Sequence, residues 1–168
     1  MMVTPQEPLR SNKGAFFEGG IREPFIAHWR GKIAPGSVNN TPIINLDFYP
    51  TFAALGRVKL SANKVLDGQN ITSLFTGAEA TKLNKIYWHF PGYLYRPVIC
   101  GRDLLFRTRP VTFMRKGDFK ILLYHEEWLL EGGMEKQATN NAMELYNLKT
   151  DEGEQMLRQR NQRSAMKC

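Results

Sequence analysis

The chain has 168 residues, 42% of them hydrophobic, enough for one ordinary domain with its own core. No stretch reaches the roughly 18 consecutive apolar residues of a membrane-spanning helix. No charged n-region followed by an apolar h-region opens the chain, so no signal peptide is expected in it. The formal net charge of +7 could attract an anionic partner. No paired Cys/His finger, RNP-type aromatic run or suitably framed KH-type G-x-x-G accompanies that charge, which argues against a nucleic-acid-binding module.

Residues 1–12 lack periodicity, and Pro5 and Pro8 predict a loose leader. Residues 13–24 form a glycine-bearing loop. Gly14 frees the backbone beside Lys13, Gly19-Gly20 permits a sharp reversal through positive φ, and Pro24 sets Glu23 extended. Phe25, Ile26, Ala27 and Trp29 predict a buried strand over 24–30. A lysine on such a loop is a compact point charge with three donors, a suitable anion contact. By the residues alone the plainer reading is a turn with an exposed lysine, since both G-x-x-x-x-G-K-[ST] and G-x-G-x-x-G are absent. Glu18 and Arg22 are expected to hold the loop by ion pairing.

Residues 31–40, with Pro35-Gly36, are turn-rich. Leu46, Tyr49, Phe52, Ala53 and Leu55 predict a helix over 45–55, capped by Asn45 or Asp47 and ended by Gly56. A loop covers 60–70, a short helical or irregular piece 71–77 and a polar stretch 78–84. Strands are predicted over 85–90, 111–116, 118–124 and 143–148. The middle two flank Lys116-Gly117-Asp118, a hairpin signal. Residues 126–141 read as a polar connection. A helix is predicted over 151–162, with Asp151-Glu152 leading and Arg158, Arg160 and Arg163 trailing.

Basic residues concentrate at Arg96, Arg102, Arg107, Arg109, Arg115, Lys116 and Lys120, and again in the tail at Arg158, Arg160, Arg163 and Lys167. The tail reads as a solvated surface. Cys100 and Cys168 have neither metal nor redox spacing and are expected to be reduced. Two sequons, at Asn39 and Asn70, matter only in a eukaryotic secretory setting, and Pro42 weakens the first.

The motif Lys13-Gly14-x-x-x-Glu18-Gly19-Gly20-x-Arg22-x-Pro24, followed by Trp29-x-Gly31-x-Ile33-x-Pro35-Gly36, resembles the second signature region of the arylsulfatase-type sulfatases. The likeness runs on in order through Leu46-Asp47-Phe48-Tyr49-Pro50-Thr51, Leu66-Asp67-Gly68, Trp88-His89-Phe90-Pro91, Arg115-Lys116-Gly117-Asp118-Phe119-Lys120 and Glu144-Leu145-Tyr146-Asn147-Leu148. It implies an α/β to α+β chain: the end of a mixed α/β sulfatase domain over 1–80, then a small antiparallel sheet with a C-terminal helix over 85–168. It also implies that Lys13 contacts the sulfate of a sulfate ester, and that His89 lies near the substrate mouth. These two are the candidate catalytic and substrate-binding residues. Relatives often continue P-H-Y where this chain has Pro91-Gly92-Tyr93. His89 is read equally well as a hydrogen-bonded structural histidine, while His28, within the predicted strand, and His125, at a strand end, are both read as structural.

Sulfate-ester cleavage needs a nucleophile, a means of neutralising the sulfate oxygens and an acid for the leaving oxygen. The resemblance assigns the first to a formylglycine made from a C-x-P-x-R or S-x-P-x-R motif, aided by calcium on Asp and Asn side chains. Neither motif occurs in this sequence, and no Asp or Asp-Asn cluster precedes Lys13. No cofactor is therefore expected in this chain, while calcium and formylglycine are expected in a full-length parent. The isolated chain is expected to be inactive. An exposed sheet edge and apolar surface would favour self-association or association with a missing N-terminal half. A second reading is a non-catalytic module that binds sulfated or phosphorylated ligands. The compartment stays unassigned, a periplasmic or secreted parent being one reading.

Overall fold

The computed structural model describes residues 6–77, 85–93 and 109–155. Its elements in chain order are α1 (Glu18–Ile21), a 3-10 turn (Asn45–Asp47), α2 (Phe48–Leu55), α3 (Thr72–Phe75), β1 (Ile86–Phe90), β2 (Val111–Lys116), β3 (Phe119–Tyr124), α4 (His125–Leu130) and β4 (Met143–Asn147). The chain divides into two compact units, Met1–Glu23 with Tyr87–Cys168, and Pro24–Ile86. The Lys13 loop, which the sequence groups with residues up to 80, thus belongs to the unit that holds the sheet.

In that unit the four strands form one antiparallel sheet in the order β1-β2-β3-β4. Gly117 and Asp118 turn β2 into β3, and Gly117 takes φ 56°, the left-handed value a tight hairpin turn asks for. Register places Val111 opposite Tyr124, Phe113 opposite Leu122 and Arg115 opposite Lys120. It then places Lys120 opposite Tyr146 and Leu122 opposite Glu144. Because side chains alternate along a strand, these residues share one face with Trp88 and Phe90. The loop carrying Ala15, Phe16 and Phe17 covers that face and completes the core. Phe16 packs tilted against Phe90 and Phe113, both at 5.7 Å, and Trp88 stacks on Phe113 at 4.8 Å. Such aromatic pairs add to the area they bury. His89 and Thr112 project from the opposite face.

In the unit Pro24–Ile86, α2 is anchored by two buried polar residues. Asp47 accepts from the Ile44 N–H (2.9 Å) and the Gln69 N–H (2.8 Å), so it clasps the later loop rather than capping α2. Thr51 Oγ1 donates to the Asp47 carbonyl (2.5 Å) and accepts from the Ile71 N–H (3.0 Å). Gly68 is required here by contact: a Cβ on it would lie 2.8 Å from Asp47 N. Gly56 ends α2 as expected, but without positive φ; Arg57 takes the left-handed value instead.

Three expectations are corrected. Residues 24–30 form no strand: they are irregular and mostly exposed, with Phe25 49% and Ile26 90% accessible. A strand needs neighbours to satisfy its N–H and C=O groups, and no described strand pairs with this segment. His28 is accordingly exposed, not set in a core strand. The connection after β3 contains α4, whose first turn holds Glu126 and Glu127 where the helix dipole favours acids. Of the helix expected over 151–162, residues 151–155 form a turn and the rest lie outside the described residues, as do Cys100, Cys168, the 78–84 stretch, Arg96, Arg102, Arg107 and the basic tail. No described helix is long and apolar enough to cross a membrane.

Candidate functional site

Lys13 sits in a turn closed by the Ala15 N–H donating to the Asn12 carbonyl (3.0 Å). Gly14, third in that turn, has φ 97°, the conformation a type II turn reserves for glycine. The lysine is exposed while Ala15, Phe16, Phe17 and Glu18 behind it are buried. Gly19 and Gly20 serve by close approach and not by positive φ. They lie in α1, and a Cβ on either would meet backbone: 2.5 Å from the Ser11 carbonyl for Gly19, 2.7 Å from the Asn12 carbonyl for Gly20. The two glycines thus let α1 press against the segment that presents Lys13.

A buried charge network holds this loop on the sheet. Glu18 Oε1 lies 3.2 Å from Lys120 Nζ and Glu18 Oε2 accepts from Arg115 Nη1 at 2.9 Å. Lys120 Nζ also lies 2.8 Å from Glu154 Oε1, an ionic contact without a directed hydrogen bond at that oxygen. Glu154 Oε2 accepts from the Glu18 N–H (2.6 Å), one of the donors that α1 cannot satisfy itself. Side chains of Glu18, Lys120 and Glu154 are at most 2% exposed. Burial pushes the Glu154 carboxyl above its ordinary range, with Lys120 pulling the other way. Arg10 donates to the Glu154 carbonyl (2.7 Å) and lies 4.0 Å above the Phe17 ring. Tyr124 and Tyr146 both donate to Glu144 Oε2 at 3.0 Å. Burial, then the Glu144 charge, push the Tyr146 phenol up, so it remains a donor. Glu18 and Arg22 do form ion pairs, but with distant partners: Arg22 pairs with Glu152 at 2.7 Å.

His89 is exposed on β1. Its Nδ1 is 2.7 Å from Thr112 Oγ1, which is 2.8 Å from His125 Nε2 at the start of α4. The two rings stand edge to face, centroids 5.6 Å apart. Lys13 and His89 are not joined by any hydrogen bond or ion pair among the described residues: the Lys13 loop covers one face of the sheet and His89 leaves the other. Sequence reasoning missed Thr112, Lys120 and Glu154, and took His125 as structural. Alternation along β2 was the available signal for Thr112, because it places that hydroxyl on the His89 face.

The small antiparallel sheet and the Lys-Gly-x-x-x-Glu-Gly-Gly run on the loop that covers it point to the class of sulfatase C-terminal regions. The chain belongs to the family described as N-sulphoglucosamine sulphohydrolase, C-terminal, which it matches over residues 11–166. A sulfatase of Formosa agariphila is 34% identical over 162 residues, covering 92% of this chain and 26% of that protein. Human arylsulfatase A is 31% identical over 154 residues, covering 87% of this chain and 28% of that protein. The structure of BT4656 in complex with its substrate D-glucosamine-2-N,6-O-disulfate superposes with a TM-score of 0.47 and 18% identity, covering 72% of this chain and 20% of that one. The chain spans about a quarter of the length of these curated relatives.

Proposed function

We propose that this chain is the C-terminal region of a sulfate-ester hydrolase and supplies Lys13 as the cation that meets the sulfate oxygens. One observation carries the reading: an exposed lysine is presented by a type II turn whose base is fixed to the sheet through buried Glu18, Lys120 and Glu154. A charge held in place by buried neighbours needs little reorganisation when an anion arrives. His89 would meet the substrate beyond the sulfate. Among the described residues no group of three or more His, Cys, Asp or Glu could hold a metal, and the formylglycine motifs do not occur in the sequence. In this reading the calcium and formylglycine of the family belong to the remainder of a longer parent. The exposed Phe25, Ile26, Phe52 and Val65 of the unit Pro24–Ile86 support a surface for that remainder. The relatives named sulfatase support a sulfate ester as substrate.

The test is binding of inorganic sulfate, followed through the backbone N–H signals of residues 12–15. Lys13→Ala should weaken it by about tenfold, since a charge-assisted hydrogen bond contributes about 1.5 kcal/mol. Equal affinity in both proteins would exclude Lys13 as the contact.

A further inference from the structure

We propose that Thr112 bridges His89 and His125 into one unit in which both rings carry the same tautomer, so that Thr112 sets what His89 offers at its outward nitrogen. The geometry requires a choice. His89 Nδ1 and His125 Nε2 both lie within hydrogen-bond distance of a single hydroxyl oxygen, at 2.7 and 2.8 Å. A hydroxyl has one proton to donate and two lone pairs to accept with. If it donates to His89 Nδ1, that ring carries its proton on Nε2, and His125 must donate from its own Nε2. If it donates to His125 Nε2, that ring carries its proton on Nδ1, and His89 must donate from Nδ1. Either way the two neutral rings match. Of the opposite pairings, two bare nitrogens would share one donor and fail, whereas two ring donors would fill both lone pairs of the hydroxyl and send its proton to solvent, an arrangement that uncouples the rings and that the titration below tells apart from the bridge.

Protonation follows the same rule. When His89 becomes a cation its Nδ1–H donates to Oγ1, the hydroxyl turns to His125 Nε2, and His125 is driven to carry its proton on Nδ1. A charge change at one ring is thus read at the other. Among the described residues, the charged and titratable groups on this sheet face and beside α4 are Tyr87, two residues before His89 on β1, Lys116 at the far end of β2, Arg109 paired with Glu127, and Glu126 accepting from the Tyr93 hydroxyl. With Nδ1 held by Thr112, Nε2 is the atom His89 presents to a ligand. In the first arrangement it is a donor suited to an ester or sulfate oxygen; in the second it is an acceptor. Thr112 is in this account a positioning residue, and that functional part rests on the proposed role of His89.

Nitrogen-15 NMR of the full chain through a pH titration tests the bridge. The wild type should show matching tautomers at high pH, and the signals of His125 should move in the step that protonates His89. Thr112→Val keeps the shape and β-branching but removes the hydroxyl, and should make the two rings titrate independently. Thr112→Ser should restore the coupling. Opposite tautomers in the wild type, or coupling unchanged in Thr112→Val, would overturn the proposal. An aryl sulfate, which has a group beyond the sulfate, should shift His89 Nε2 when added to the coupled wild type. If it shifts Lys13's neighbours but not His89, the substrate contact of His89 fails while the bridge stands.

Discussion

Replacing Lys120 by methionine should cost about 3–5 kcal/mol of folding stability, read from the midpoint of urea unfolding, because it leaves buried carboxylates without their shared cation. Methionine conserves most of the volume, so the loss reports charge and not a cavity. Glu18 would keep Arg115, but Glu154 would lose its only cationic contact among the described ion pairs. The deficit should also grow with pH. Burial already raises the Glu154 carboxyl in the folded protein and Lys120 lowers it. Without Lys120 the folded value climbs further, so the stability present below the ordinary glutamate range is lost over a longer stretch of rising pH. Adding Glu18→Gln should cost less than the sum of the single changes, since both act on one network. A loss under about 1 kcal/mol at neutral pH, or a deficit that shrinks as pH rises, would contradict this account of the loop's anchor.

Phe17→Ala is the second large effect, at about 3–5 kcal/mol. Phe17 is 1% exposed, meets Tyr146 edge-on at 6.0 Å and carries the Arg10 guanidinium over its face. Its removal opens a cavity beneath the loop and loosens the segment that carries Lys13. The consequence should reach the surface: backbone amides of residues 12–20 should exchange faster in the variant than those of β2 and β3, measured by hydrogen exchange. Uniform acceleration across the unit would mean that the loop has no separate attachment.

The legible parts of the fold are those with local causes. The hairpin of β2 and β3 follows from alternation on either side of Gly117, and α2 from apolar spacing closed by Gly56. The expected strand at 24–30 fails because an apolar run becomes a strand only where other strands satisfy its backbone. The sequence offers Gly19-Gly20 for its conformational freedom, whereas the pair serves by letting α1 approach the Asn12 carbonyl; glycine serves both needs, and a sequence does not say which. Helix α4 hides in a polar stretch, although Glu126-Glu127 at its start was a readable sign. The family resemblance singled out Lys13 from its motif. The network that holds it joins residues more than one hundred positions apart, Glu18 to Lys120 and Glu154, and such pairs become visible only once the sheet brings them together.

The most direct measurement is turnover of a chromogenic aryl sulfate, with added calcium, by this chain and by its Lys13→Ala variant. The account predicts no turnover by either, since this chain would hold the sulfate contact and not the nucleophile. Turnover by the chain that disappears in Lys13→Ala would contradict it, because a complete site would then reside in these 168 residues.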